Sequence, residues 1–223
     1  MDRLNRFSNR AQAGEVLAQR LLAYAGRADV LVLALPRGGV PVGFVVAKAL
    51  HVPLDVLLVR KLGMPGHEEY AIGAVAAGGT CVLQSEVISA YEIPPAVIEA
   101  LTTRELREIE RREKLYRAGR PALQLQDKTV ILADDGLATG STMLAAARVA
   151  RAAGPARLIV AVPVGSIEAC EILQSEVDEV ICLSTPEPFN AVGQWYAHFD
   201  QTSDDEVIAL LAEAEQDRAQ RER

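Results

Sequence analysis

Residues 130–142 read Val-Ile-Leu-Ala-Asp-Asp-Gly-Leu-Ala-Thr-Gly-Ser-Thr, and this stretch decides the fold. An apolar run stops at two adjacent carboxylates, Asp134 and Asp135, and a short glycine-bearing turn follows. The pattern predicts a buried strand over 130–133 and a helix over 141–153. A strand that ends where a helix begins offers free backbone N–H groups and the positive end of the helix, and both favour a bound phosphate.

The carboxylates beside this turn accept hydrogen bonds and cannot donate them, so they suit sugar hydroxyls or a divalent cation. A phosphorylated sugar has both groups, a phosphate for the start of the helix and hydroxyls for the two carboxylates. A Walker loop is excluded because Gly140 is not followed by lysine, and the dinucleotide fingerprint needs a different glycine spacing. A receiver domain would need a further Asp and a Lys at later strand ends, where Pro163 and Ser184 stand instead. The predicted phosphate turn consists of Ala138, Thr139, Gly140, Ser141 and Thr142.

The rest of the chain predicts an α/β fold with a doubly wound, mostly parallel sheet. Solid apolar runs, which parallel sheets bury on both faces, occur at 30–35, 54–59, 158–162 and 180–183. Predicted helices alternate with them, beginning after the cap signal Phe7-Ser8-Asn9 and continuing at 43–50 and from about residue 168. Ligands of such sheets bind outside the carboxyl ends of the strands.

An insertion interrupts this alternation. Runs at 72–75 and 81–83 flank Gly78-Gly79 and predict a β-hairpin, and a charged helix is predicted over 96–118. We expect one domain over 1–223, with a core of about 28–64 and 128–200, a flap of about 65–122 and a C-terminal helix of about 203–216.

The segment 104–120 alternates basic residues with glutamates and leaves two interpretations open. Glu108 with Arg112, Glu110 with Lys114, and Glu113 with Arg117 have the spacing of helix-stabilising ion pairs. The segment is either a solvated helix or a lid whose remaining arginines meet a phosphate or an acidic partner. Those arginines are Arg104, Arg107, Arg111 and Arg120.

Two further predicted strand ends carry cations. Arg37-Gly38-Gly39 follows the run at 30–35, and paired glycines allow backbone N–H groups to approach an anion closely. Arg60 and Lys61 follow the run at 54–59. Each motif alone also fits an exposed turn, but beside the 130–142 stretch both indicate a second anion site.

Taken together, these motifs resemble those of the type I phosphoribosyltransferases, and are most similar to the small bacterial group described only as predicted phosphoribosyltransferases. The resemblance implies displacement of pyrophosphate from diphosphoribosyl diphosphate (PRPP) by an unidentified, nitrogenous acceptor in nucleotide metabolism. It implies that Arg37, Gly38, Gly39, Arg60 and Lys61 bind pyrophosphate, and that residues 138–142 bind the 5′-phosphate. Asp134, Asp135, Arg37 and Lys61 become the expected catalytic residues, with Mg²⁺ held indirectly by the two aspartates through substrate or water.

The acceptor side is less well defined. Phe189, in a segment similar to the base-binding segment of hypoxanthine–guanine enzymes, is the expected acceptor contact. Trp195, Tyr196 and Phe199 are instead expected to pack the C-terminal helix onto the core. The related adenine and orotate enzymes carry a mobile-loop lysine that this chain lacks, and His67 is the nearby candidate to replace it.

The formal net charge of −7 over 223 residues argues against general nucleic-acid affinity, and no stretch approaches the length of a membrane span. We therefore expect a cytoplasmic protein with small-molecule substrates, without membrane or nucleic-acid partners, and the resemblance favours a homodimer. The alternative is a regulator of the same fold that senses PRPP or a nucleotide without turnover and binds RNA or a protein.

Overall fold

A computed structural model describes residues 6–221, without the side chains of 68–70. It contains eight strands and seven α-helices in this part of the chain. The strands are β1 (Val30–Ala34), β2 (Leu54–Val56), β3 (Val59–Met64), β4 (His67–Ala76), β5 (Cys81–Leu83), β6 (Thr129–Ala133), β7 (Arg157–Val164) and β8 (Glu179–Ser184). The helices are α1 (Arg10–Arg20), α2 (Gly39–Leu50), α3 (Ser85–Ala90), α4 (Pro95–Tyr116), α5 (Ser141–Ala152), α6 (Ile167–Gln174) and α7 (Asp204–Arg221).

The central sheet has the strand order β2-β1-β6-β7-β8, and all of its strands are parallel. Every residue of β6 is buried, as expected for an apolar run with helices on both faces of the sheet. The α/β fold and the parallel sheet are therefore confirmed. Because β1 pairs with β6 residue by residue from Val30 to Ala34, the loops that follow these two strands leave the sheet side by side.

Helices cover both faces of the sheet. On one face, α1, α2 and α7 bury side chains such as Leu17, Val46 and Leu211. On the other face, α5 and α6 contribute Met143 and Leu173 to a second cluster. Helix α1 begins where the sequence predicts, because the Asn9 side chain accepts a hydrogen bond from the Gln12 N–H at 2.9 Å. No helix within residues 6–221 is long and apolar enough to cross a membrane.

The prediction of one strand over 54–59 was wrong. Strand β2 ends at Val56, and β3 belongs to a separate antiparallel sheet of order β3-β4-β5. Leu57 and Leu58 between them are 4% and 3% exposed, so the apolar run continues while the chain changes sheets. The predicted hairpin is confirmed, because β4 and β5 pair antiparallel around the turn at 77–79.

Helix α4 packs against β3, β4 and α7. The Glu108–Arg112 and Glu113–Arg117 ion pairs form as predicted, whereas Glu110 and Lys114 make no ion pair within the described part of the chain. Most of the arginines expected to be unpaired are engaged. Arg104 binds Glu105, Arg111 binds Glu108, and Arg120 binds Asp55 and Glu215.

Candidate active site

The loops after β1 and β6 form the two walls of a cleft of ≈ 480 Å³ at the carboxyl ends of the central strands. This is where ligands of parallel sheets bind. Two smaller cavities of ≈ 270 and ≈ 260 Å³ lie beside the residues that precede β1 and β2, at the opposite edge. The cleft is lined by Arg10, Leu35, Pro36, Arg37, Gly38, Asp134, Asp135, Thr142, Phe199, Gln201 and Thr202.

The glycines after β1 allow its loop to touch the loop after β6. A Cβ atom placed on Gly38 would lie 2.1 Å from Asp135 Oδ2, and one on Gly39 would lie 2.7 Å from the carbonyl oxygen of Ala133. Both distances are far inside van der Waals contact, so the two loops meet this closely only because these positions have no side chain. The preceding Pro36–Arg37 peptide bond is cis.

Asp134 and Asp135 lie at the floor of the cleft with their carboxylates close together. Asp134 Oδ1 accepts a hydrogen bond from the Asp135 N–H at 2.8 Å. Burial raises the pKa of Asp134 well above its ordinary value, and the adjacent Asp135 raises it further. Burial also raises the pKa of Asp135, whereas the guanidinium of Arg10 opposes that rise. The pair can accept hydrogen bonds from the hydroxyls of a sugar.

The turn at 138–142 has the geometry of an anion site. The first intrahelical bond of α5 runs from the Leu144 N–H to the Gly140 carbonyl at 2.8 Å, so the N–H groups of 141–143 precede the hydrogen-bonded turns. Gly140 has φ +71°, a conformation that glycine adopts without strain. The turn is anchored to the end of β7, where the Ser166 hydroxyl donates to the Ala138 carbonyl at 2.8 Å.

Arg37 reaches the start of the C-terminal helix. Its Nη1 lies 3.6 Å from Oδ1 of Asp204, the first residue of α7. The Tyr116 hydroxyl, at the end of α4, donates a hydrogen bond to the same Asp204 oxygen. Burial and then this bond raise the pKa of Tyr116 to about 12, so the phenol stays protonated. The long helix thus reaches the site through the Tyr116 hydroxyl and its bond to Asp204.

Sequence reasoning missed Arg10 as a site residue. Its Nε donates to Asp135 Oδ2 at 2.8 Å, its Nη1 donates to the Asp200 carbonyl at 2.7 Å, and its guanidinium lies 3.9 Å above the Phe199 ring centre. Its side chain is 12% exposed. Arg10 lies 125 positions from Asp135, and nothing in the local sequence distinguishes it from a surface residue at the start of a helix.

The structure does not bring the cations of β3 into the cleft lining. Successive residues of a regular strand face opposite sides of the sheet, so the Arg60 and Lys61 side chains leave β3 on different faces. Arg60 binds Glu105 at 2.8 Å and lines a small neighbouring cavity with Pro36 and Thr142. Lys61 pairs with Ala74 in the sheet, and His67 stands exposed at the tip of the β3–β4 hairpin. Their roles in pyrophosphate binding stay predictions.

The aromatic segment packs differently from the prediction. Tyr196 is buried against Phe7 and Ala13 of the N-terminal region, and its hydroxyl donates to the Asp135 carbonyl at 2.6 Å. The expectation that these aromatics pack the C-terminal helix was therefore wrong for Tyr196. Phe189 stacks on Trp195 with 6.2 Å between ring centres. Phe199, and not Phe189, lines the cleft; the acceptor role of Phe189 stays a prediction.

The donor set fits a cation that takes few protein ligands. Among the side chains described, those of residues 6–67 and 71–221, no three His, Cys, Asp or Glu gather in the manner of a protein-built metal site. The pair Asp134 and Asp135 supplies carboxylates beside a polar cleft, and Mg²⁺ is commonly bound by one or two carboxylates together with substrate phosphates and water.

Comparison with known proteins agrees with this geometry. Two Mycobacterium tuberculosis proteins, from strains CDC 1551 and H37Rv and both named "Putative phosphoribosyl transferase", are 47% identical over 214 residues, or 96% of this chain. The chain spans about half of their length, at 48%. The crystal structure of TT1426 from Thermus thermophilus superposes with a TM-score of 0.86 at 42% identity, covering 93% of this chain and 98% of that one. Residues 1–194 match the family described as "Phosphoribosyl transferase domain", and the chain therefore belongs to that family.

Proposed function

We propose that this chain transfers the 5-phosphoribosyl group of PRPP to an acceptor, with release of pyrophosphate. The observation that carries the proposal is the contact between Gly38 and Asp135, which joins an arginine-bearing anion loop to a carboxylate pair in one cleft. A ligand with phosphate at one end, hydroxyls in the middle and pyrophosphate at the other end would satisfy all three groups. PRPP has this chemistry.

In the proposed complex the turn at 138–142 binds the 5′-phosphate through backbone N–H groups and hydroxyls. Asp134 and Asp135 accept hydrogen bonds from the ribose hydroxyls. Arg37 and the N–H groups of the Gly38-Gly39 turn bind the pyrophosphate, and Arg60 and Lys61 add charge from the flap. These groups orient the sugar and stabilise negative charge as it develops on the leaving group.

In the proposed reaction a bond forms between the acceptor nitrogen and the anomeric carbon. The bond from that carbon to the pyrophosphate oxygen breaks, its electron pair leaves with pyrophosphate, and the acceptor's proton passes to water. Mg²⁺, held indirectly by Asp134 and Asp135 through water or PRPP oxygens, would neutralise charge on the pyrophosphate when bound. We further propose a cytoplasmic homodimer that works in nucleotide metabolism.

Asp135→Asn and Arg37→Gln test this assignment. Each removes a charge from the cleft, and we expect PRPP-dependent pyrophosphate release to fall by about a hundredfold or more, the scale seen when a charge-stabilising donor is removed. Asp127→Asn at the other end of β6 and Arg20→Gln at the end of α1 are the matched controls, since both residues are exposed and distant. Full activity in either cleft variant would contradict the assignment.

Calorimetry of PRPP binding, together with a turnover assay, distinguishes an enzyme from a sensor. Turnover with a pool of nitrogenous acceptors supports the transferase, whereas tight PRPP binding without turnover supports a regulator of the same fold. Salt-sensitive RNA binding would then identify an RNA-binding sensor.

A further inference from the structure

We propose that Arg10 and Thr202 form the acceptor subsite, and that this subsite takes a flat acceptor that presents a carbonyl or carboxylate oxygen beside its nucleophilic nitrogen. The inference rests on the proposed phosphoribosyl transfer and deepens it. It replaces Phe189 with residues that line the same cleft as the sugar-binding carboxylates.

The N-terminal segment is fastened to the chain that follows β8, and this contact brings Arg10 to the cleft. The Phe7 N–H donates to the Trp195 carbonyl at 2.9 Å, and the Ala197 N–H donates to the Phe7 carbonyl at 2.8 Å. The His198 N–H donates to the Ser8 carbonyl at 3.0 Å. Arg10 therefore starts its helix beside Phe199 and Asp200.

Tyr196, Phe199 and the Arg10 guanidinium pack in series, and Arg10 is the last of the three toward the cleft. The Tyr196 and Phe199 rings lie 5.0 Å apart, and Arg10 covers Phe199 at 3.9 Å. Phe199 therefore has its ring occupied and supports Arg10, while Arg10 itself lines the cleft. A guanidinium plane stacks on flat groups and donates hydrogen bonds in its own plane.

Arg10 keeps donors for a ligand. A guanidinium has five N–H groups, and the bonds to Asp135 and to the Asp200 carbonyl use only part of this set. Because arginine never accepts a hydrogen bond, its remaining N–H groups require an oxygen or an unprotonated nitrogen on the ligand. The bond to Asp135 also places these donors next to the sugar hydroxyls, where the acceptor must lie during transfer.

Thr202 contributes a second polar group to the same cleft. The residue as a whole is only 3% exposed, and its hydroxyl makes no hydrogen bond to any of the described residues. Among these residues the buried side-chain polar atom without a partner is Trp195 Nε1, so the Thr202 hydroxyl is accessible from the cleft and can bond a ligand there. The amide of Gln201 stands exposed next to it. The wall thus offers donors from Arg10 and a donor or acceptor from Thr202.

Charge also selects the ligand. The groups around Arg10 are Asp134, Asp135 and Arg37, together with the neutral Tyr196 hydroxyl. Once the sugar hydroxyls engage the two aspartates, Arg10 is the charged group that faces the acceptor, and an oxygen-bearing acceptor pairs with it. An acceptor that lacks such an oxygen leaves the remaining Arg10 donors without a partner on the ligand.

The test compares acceptors with and without an oxygen-bearing group: hypoxanthine adds a ring carbonyl to purine, and nicotinate adds a carboxylate to pyridine. Hypoxanthine is compared with purine, and nicotinate with pyridine, by saturation-transfer NMR in the presence and absence of PRPP and Mg²⁺. We expect the oxygen-bearing member of at least one pair to bind about tenfold more tightly, the ratio typical of one hydrogen bond to a charged group. The two pairs distinguish a carbonyl from a carboxylate. Equal binding within both pairs would overturn the inference.

The variants Arg10→Gln, Arg10→Lys and Thr202→Val identify the residues. Each is expected to weaken the oxygen-bearing ligand by about tenfold and to leave its oxygen-free partner unchanged. Arg10→Lys keeps the charge beside Asp135 and loses the planar fork, so it should still bind PRPP. Arg20→Gln, at the other end of α1, is the matched control. Unchanged or tighter ligand binding in all three variants would overturn the inference.

PRPP calorimetry on the unmodified chain distinguishes failure of the proposed transferase function from failure of the proposed acceptor subsite. If PRPP fails to bind while the ligand pairs still depend on Arg10, the proposed transferase function fails and the subsite stands. If PRPP binds and turns over while Arg10 and Thr202 have no effect on any acceptor, the function stands and the subsite is wrong. Thr202→Val decides the outcome if the Arg10 variants do not fold.

Discussion

Asp134 and Asp135 place two carboxylates in one partly buried position, which works against folding. Burial favours the neutral form of each group, and the proximity of the other acid favours it further for Asp134. Arg10 supplies a single compensating charge. A folded-state pKa above the unfolded value means that the contribution of Asp134 to stability is present at low pH and is lost as the pH rises through the folded pKa.

Asp134→Asn should therefore raise the free energy of unfolding at pH 7 by about 1 to 2 kcal/mol, in the range found when a strained functional group is neutralised. The asparagine oxygen can still accept the bond from the Asp135 N–H. Urea unfolding at pH 5 and pH 8 checks the prediction, and the gain should be larger at pH 8. A variant less stable than the wild type at pH 8 would contradict this account, and PRPP turnover should fall in the same variant.

Site residues that are close in sequence could be predicted, and those assembled from distant segments could not. Asp134 and Asp135 and the turn at 138–142 are consecutive, so a strand, a turn and a helix suffice to place them. Arg10 reaches the cleft through backbone bonds between 7–8 and 195–198, which no local pattern encodes. The signal that was available is the concentration of scarce aromatic residues near 189–199, among which Tyr196 was expected to pack against the C-terminal helix and packs instead against the N-terminal region.

At the scale of elements, the boundary between β2 and β3 shows how hydrophobicity can mislead. Leu57 and Leu58 are as buried as the strand residues before them, although the chain is leaving one sheet for another. An uninterrupted apolar run therefore predicts burial correctly and says nothing about which sheet the residues join. The consequence is large. Arg60 was expected at a strand end of the central sheet and lies instead within β3 of the antiparallel sheet.

Glu105 connects α4 to strand β3 of the antiparallel sheet, and its removal should loosen that connection. It is 6% exposed and binds both Arg60 and Arg104. Burial raises the pKa of Glu105, but the hydrogen bonds from these arginines outweigh burial and leave the pKa below its ordinary value. Glu105→Gln should lower the free energy of unfolding at pH 7 by about 1 to 3 kcal/mol, the usual cost of losing a hydrogen bond to a charged group.

The pH dependence of this loss follows from the lowered pKa. The stabilisation from Glu105 is present above its unfolded-state pKa and is lost as the pH falls through the folded value. The difference between wild type and Glu105→Gln should accordingly shrink between pH 6 and pH 3 in chemical unfolding. Glu110→Gln, on the exposed side of the same helix, is the matched control. A difference that stays constant with pH would show that the ion pairs contribute nothing.

At the scale of the whole molecule, the cleft joins segments that are far apart along the described chain. Its lining comes from the start of α1, the loops after β1 and β6, and the segment before α7. Asp204 links that last segment to Arg37 and, through Tyr116, to the end of α4. A ligand in the cleft would therefore restrain the start of α1, the start of α7 and the end of α4 at once.

Saturating PRPP with Mg²⁺ should stabilise the whole molecule as one unit. At a hundred times its dissociation constant, a ligand that binds only the folded state adds about 2.7 kcal/mol, which raises the unfolding temperature by several degrees. Scanning calorimetry with and without PRPP measures the shift. Arg37→Gln should reduce it and Arg20→Gln should not. An unchanged transition temperature at saturating PRPP would contradict binding.

Because Gly38 has no side chain, the loop after β1 packs directly against the loop after β6, and the positions of the two loops depend on each other. A Cβ atom placed on Gly38 would lie 2.1 Å from Asp135 Oδ2, so a shift of one loop changes the space available to the other. Substitutions on the two sides should then combine non-additively, because each changes the position of the same atoms. Arg10 bonds the same Asp135 oxygen, so in the proposed complex the sugar, pyrophosphate and acceptor contacts are constrained to change together.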